Sequence, residues 1–136
     1  MEEYIIKFAT IIKELKRKNR SVISSYKLSP NEIDILVALD MEIYDKAAEI
    51  AESFEISKSL VCRSVDSLIK KGYIDTKKDE KDKRVTRLIL KEDAKPIVKL
   101  LKENRTKTTE AILKGIDKDE LAIFNKVLDQ MKKNLL

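Results

Sequence analysis

Apolar residues recur at helical spacing along most of the chain, and the places where that period breaks define its organisation. Ile5, Phe8, Ile12 and Leu15 fall on one stripe that Tyr4 and Ile11 widen, which predicts a long amphipathic helix over 1–25. Leu28-Ser29-Pro30-Asn31-Glu32-Ile33 then carries the marks of a helix start. Ser29 caps, Pro30 takes the first helical position, Glu32 completes a capping box, and Leu28 staples against Ile33. That helix is predicted to bury Ile33, Leu36, Val37 and Leu39 and to end near Met41, leaving 42–45 as a connector or short edge strand. Ala47, Ile50, Ala51 and Phe54 predict a short helix over 46–54. Only Glu55 and Ile56 separate it from Ser57, which caps a further helix over 57–71 that Gly72 ends, so these two helices must cross steeply.

After Gly72 the period shortens to two. β-Branched and aromatic residues alternate over 73–78 and 85–90 around a polar stretch at 79–84, which predicts a hairpin with a charged tip. From Glu92 the helical period returns through Ile97, Val98, Leu101, Thr108, Ala111 and Ile112 to Gly115, with Pro96 tolerated near the first turn. Asp117 and Glu120 repeat the cap and box for a last helix carrying Phe124, Val127, Leu128 and Met131. The predicted class is mostly α: a helix-turn-helix with a two-stranded β-wing, flanked by N- and C-terminal helices. A chain of 136 residues is read as one functional unit, with 29–91 as the winged part. The flanking helices, over 1–28 and 92–136, carry more apolar surface than so small a unit covers alone, which points to a second copy as their cover.

Composition narrows the chemistry. With no histidine and one cysteine the chain lacks the ligands of a typical zinc site, and its two glycines cannot build a phosphate-cradling loop, so no metal, cofactor or catalytic residue is expected. An enzyme is disfavoured. No run of about 18 apolar residues occurs and the chain opens on two glutamates, so neither a membrane span nor a secretory signal is expected and the location is read as cytoplasmic. Net charge is +5, and its placement is uneven: positions 57–91 hold eleven Lys and Arg against five Asp and Glu, or +6, while the rest holds eighteen against nineteen, or −1. Positive charge confined to one stretch points to a polyanionic partner.

The helix over 57–71 has two unlike faces. Val61, Val65 and Leu68 cluster on one side; Ser59, Arg63, Asp66 and Lys70 gather opposite, flanked by Cys62 and Ser67. Short side chains at Ser57, Ser59 and Cys62 allow close approach of backbone to a DNA groove, and Arg63 is long enough to meet a base edge or a phosphate. The wing tip supplies Lys81, Lys83 and Arg84, with Arg84 the candidate for a narrow minor groove.

These features together resemble the MarR family of winged-helix regulators. The resemblance runs through Leu28-Ser29-Pro30-Asn31-Glu32, Ile50-Ala51, Ile56-Ser57-Lys58, Val61 to Asp66, Leu68, Lys71-Gly72, Asp82-Lys83-Arg84 and Leu88 to Leu90. It implies that 57–71 is the recognition helix, that Asp82 shapes the wing, and that Ser57, Lys58, Ser59, Cys62, Arg63, Ser67, Lys70, Lys81, Lys83 and Arg84 face double-stranded DNA. It also implies a homodimer held by Ile5, Phe8, Ile12, Leu15, Ile112, Phe124, Val127, Leu128 and Met131, most commonly a repressor, with a small aromatic or acidic effector releasing the DNA. Glu55 stands where such turns often have glycine. Cys62 stands where the family often has threonine, and no cysteine occupies the first helix, where oxidant-sensing members carry theirs. The other reading is a winged-helix module that uses the same surface on an acidic protein, without DNA binding.

Overall fold

The computed structural model describes residues 1–22 and 24–136, and its contacts divide the chain into two compact units, Met1–Arg105 and Thr106–Leu136. In the first unit α1 (Glu2–Val22) leads through a 3₁₀ turn (Ser24–Tyr26) to α2 (Pro30–Asp40), α3 (Ala47–Ser53) and α4 (Lys58–Lys70). Strands β1 (Ile74–Lys78) and β2 (Thr86–Leu90) follow, then a second 3₁₀ turn (Glu92–Ala94) and α5 (Lys95–Ile112), which runs into the second unit; α6 (Lys118–Leu135) completes the chain. The expected first helix ends before its predicted limit, because Ser24–Tyr26 form the 3₁₀ turn.

Helix α2 is the centre of the first unit, and its start follows the sequence closely. Ser29 Oγ accepts the Glu32 amide at 3.2 Å while a Glu32 carboxylate oxygen accepts the Ser29 amide at 2.6 Å, the reciprocal pair of a capping box. The helix buries more than a single stripe. Ile33, Ile35, Leu36, Ala38 and Leu39 are all buried, and Val37 packs at the edge of the same core. Periodicity alone favours one face; α2 is covered on more because α4 and β2 both lie against it. Ile50 and Ala51 of α3, Val61, Val65 and Leu68 of α4, Ile74 and Leu88 of the sheet, and Ala94, Ile97, Val98 and Leu101 around the start of α5 complete the core.

The segment 42–45 is both connector and edge. The Leu88 amide donates to the Asp45 carbonyl at 2.7 Å and Lys46 forms a single bridge with Arg87, so the connector lies along β2 without becoming a full strand. Between α3 and α4 the Ile56 amide reaches back to the Ala51 carbonyl at 2.9 Å, and Glu55 takes the left-handed conformation at φ 53. A left-handed non-glycine residue costs about 1–2 kcal/mol, and glycine gives back roughly half of that gain as unfolded-chain entropy. Glu55→Gly is therefore expected to raise stability by about 0.5–1 kcal/mol in urea melts, and a lowered midpoint would contradict this account of the turn.

In the second unit Gly115 at φ 85 ends the helical run, and Asp117 starts α6 by accepting the amides of Asp119 and Glu120, both at 2.8 Å. Ile112, Ile123, Phe124, Val127, Leu128 and Met131 are exposed there, as Ile5 and Ile12 are on α1, where Phe8 and Leu15 are half-buried. Among the described residues no helix is long and apolar enough to cross a membrane.

Candidate nucleic-acid interface

Helix α4 owes its position to both of its ends. Ser57, extended at φ −60 and ψ 145, caps it by accepting the Leu60 amide at 3.2 Å. At the far end Gly72, at φ 80, lets the Tyr73 amide return to the Leu68 carbonyl at 3.0 Å and sends the chain into β1. Val61, Val65 and Leu68 are buried as their spacing predicts, together with Ser64, whose hydroxyl donates to the Leu60 carbonyl at 2.9 Å. Ser57, Lys58, Ser59, Cys62, Arg63, Asp66 and Lys70 are all exposed. The helix thus offers a polar, net positive face bounded by small side chains. Ser67 stands apart from this group: it is half-buried, and its hydroxyl serves the carboxylate of Glu32.

That carboxylate is the second anchor of α4. Glu32 is 3% exposed, and Lys71, just past the helix, donates to its two oxygens at 2.9 and 3.0 Å and to the Lys27 carbonyl at 3.1 Å. Burial on its own raises the Glu32 pKa, but hydrogen bonds from Ser67, the Ser29 amide and Lys71, with the Lys71 charge, hold it below the ordinary carboxylate value. One group therefore caps α2 and fixes the C-terminal end of α4. Asp34, half-buried two residues further along α2, is shifted the other way: burial raises its pKa, with Lys16 and Arg20 of α1 opposing.

The wing is an antiparallel pair in which Ile74 faces Leu90 and Lys78 faces Thr86. Lys81, Lys83 and Arg84 project from its tip, and Arg84 has 91% of its side chain exposed. Asp82 holds it there: Oδ1 accepts the Arg84 amide and Nε, each at 3.1 Å, and Oδ2 accepts Nη2 at 3.3 Å. These bonds lower the Asp82 pKa. Behind the tip Asp79 accepts the amides of Lys81 and Asp82 at 3.1 and 2.9 Å through one oxygen and Arg87 Nε at 2.6 Å through the other. Arg87 Nη1 donates to Asp45 at 2.6 Å. The Arg87 bond, then the Asp82 and Lys81 amides, pull the Asp79 pKa down, and the two carboxylates raise that of Arg87. Sequence reasoning missed Glu32 in this role, Lys71, Asp79, Arg87 and Asp45; the nearest signal was the density of acids inside a basic hairpin.

An open groove beside the wing is lined by Leu39, Ile43, Tyr44 and Leu88, with Asp45 and Arg87 at its polar side. Arg87 is the one cation among its lining residues and is already engaged by two carboxylates, so the groove offers no free positive group to an acidic molecule.

The fold has counterparts among known proteins. Residues 26–85 match the MarR family. A curated, uncharacterised HTH-type transcriptional regulator of Bacillus subtilis, YybA, is 25% identical over 87 residues, which is 64% of this chain and 58% of YybA, so the match spans less than two thirds of that relative. Among solved structures a MarR transcriptional regulator from Methanosarcina mazei Go1 superposes with a TM-score of 0.78 at 20% identity, covering 99% of this chain and 98% of its own. A MarR-family regulator from Listeria monocytogenes, solved in complex with a 26mer DNA, superposes at 0.82 with 18% identity over 96% of this chain and 87% of its own. At these identities the structures establish a shared fold.

Proposed function

Taking as premise that residues 26–85 belong to the MarR family and sit in a winged-helix fold, we propose that the protein is a dimeric, sequence-specific DNA-binding transcriptional regulator that acts as a repressor. One observation carries this reading: α4 buries Val61, Val65 and Leu68 and leaves its polar, net positive face exposed, while the wing tip carries the Arg84 guanidinium, held by Asp82 with 91% of the side chain exposed. Ser57, Ser59, Cys62 and Arg63 meet the major groove, Lys58 and Lys70 its phosphates, and Lys81, Lys83 and Arg84 flank the duplex from the wing. The region 29–91 does the reading. The start of α5 is spent on the chain's own core, and the exposed apolar faces of α1, the end of α5 and α6 are covered by a second copy; the two-fold of that dimer predicts a pseudo-palindromic operator with half-sites about 10 base pairs apart or a small multiple of that. Release by a small effector belongs to the same proposal.

Binding to duplexes selected from a random pool, measured by fluorescence anisotropy against salt, tests it. With about six to eight phosphates neutralised per dimer, the logarithm of the binding constant should fall against the logarithm of salt with a slope of roughly −5 to −7. A flat response, or capture of an acidic protein in preference to any selected duplex, would replace DNA binding with the protein-interaction reading.

A further inference from the structure

The wing's tip and the body of the domain are joined by an unbroken chain of charged hydrogen bonds. It begins at Asp45 in the connector before α3, whose carbonyl is itself fixed by the Leu88 amide at 2.7 Å. It passes through Arg87 to Asp79 and then to the Asp82 amide, and it ends where the Asp82 carboxylate grips Arg84. Asp45 and Arg87 lie 42 residues apart in sequence, so this is a tertiary clamp and not a local turn. Arg87 is half-buried and spends Nε on one carboxylate and Nη1 on the other. It offers DNA little.

Asp79 inside the basic stretch, and Asp45 brought against it by Arg87, are otherwise hard to account for. A wing that approaches phosphates gains from every positive charge and loses from every negative one, and Asp45, Arg87 and Asp79 together carry a net −1. We propose that Asp45, Arg87 and Asp79 are positioning residues for DNA recognition: they set the reach and angle at which Arg84 meets the minor groove and touch no DNA themselves. The proposal rests on the DNA-binding reading given above. A planar guanidinium suits the role because it bridges two carboxylates in one fixed geometry, whereas an ammonium group is a point charge on a flexible stem.

Long-range charge and positioning predict opposite signs for one substitution. Asp79→Asn removes a negative charge and would tighten DNA binding on electrostatics alone; loss of the clamp should instead weaken it about tenfold. Arg87→Lys keeps the charge. If Arg87 met a phosphate directly, lysine would serve nearly as well, but as a clamp it should fail, again by about tenfold. In an Arg84→Ala background either substitution should add less than about twofold, because its effect passes through Arg84.

Anisotropy with a duplex that the wild-type protein selects from a random pool gives these ratios, and thermal melts of each variant set the temperature at which all are folded. Hydroxyl-radical footprints should lose minor-groove protection under the wing while interference at guanine N7 in the major groove persists. A general loss of stability would not produce that split. The positioning role is overturned if Asp79→Asn binds as tightly as wild type or tighter, if Arg87→Lys behaves as wild type, or if the effects multiply with Arg84→Ala. Wild-type protein that selects no duplex overturns the DNA-binding reading and this role with it; salt-dependent wild-type binding with unchanged variants overturns the role alone.

Discussion

Val127→Asp should leave the protein monomeric and weaken its binding to a selected palindromic duplex at least about a hundredfold. Val127 lies among Ile123, Phe124, Leu128 and Met131 on the apolar face of α6, all exposed in the isolated chain. A carboxylate forced into an apolar interface costs several kcal/mol unless paired, and two-fold symmetry places two of them in each dimer. Half an operator is then all that each molecule can hold, so the second half-site's contribution is lost. Sedimentation velocity gives the mass and anisotropy the affinity, with circular dichroism to establish that the helices persist. Ala122→Asp, on the opposite side of the same helix, should change neither. A Val127→Asp protein that still sediments as a dimer would remove α6 from the interface.

Lys71→Met should lower folding stability by about 2–3 kcal/mol. Breaking a buried ion pair by removing one partner typically costs more, but Lys71 keeps 34% of its side chain exposed and water softens the loss. What remains is the carboxylate of Glu32, only 4% exposed, without its counter-charge. Adding Glu32→Gln should recover much of the deficit, since glutamine still closes the capping box and leaves no unpaired charge. Urea melts of the two single variants and the double measure this. If the double variant is as unstable as Lys71→Met, the cost lies elsewhere than in the stranded carboxylate.

These two expectations differ in how much of their basis is legible in the sequence. The α6 stripe, the Ser29 and Asp117 capping boxes, both ends of α4 and the alternation of the wing strands are local: each is written within one or two turns of chain, where spacing fixes which side chains meet. The contacts that orient the reading elements are not local. Lys71 and Glu32 are 39 residues apart, and Arg87 and Asp45 are 42 apart. No periodicity relates such positions, and in sequence each looks like one more surface charge. Ser67 illustrates the same limit: its place on the helix wheel flanks the polar face, yet a carboxylate arriving from α2 engages its hydroxyl. Val37 and Ile35 exchange emphasis for a related reason, because α2 is covered from several directions and not from one.

The fork between Asp82 and Arg84 also bears on how such a protein would search a genome. An arginine held by its neighbour through Nε and Nη2 would reach a groove with its direction already set, so capture would cost little side-chain freedom. Where the minor groove is wide its potential is weaker and the guanidinium would gain little there; the protein would keep only its phosphate contacts, free to slide. A narrow A·T-rich groove would attract the guanidinium more strongly, and there the protein would stop.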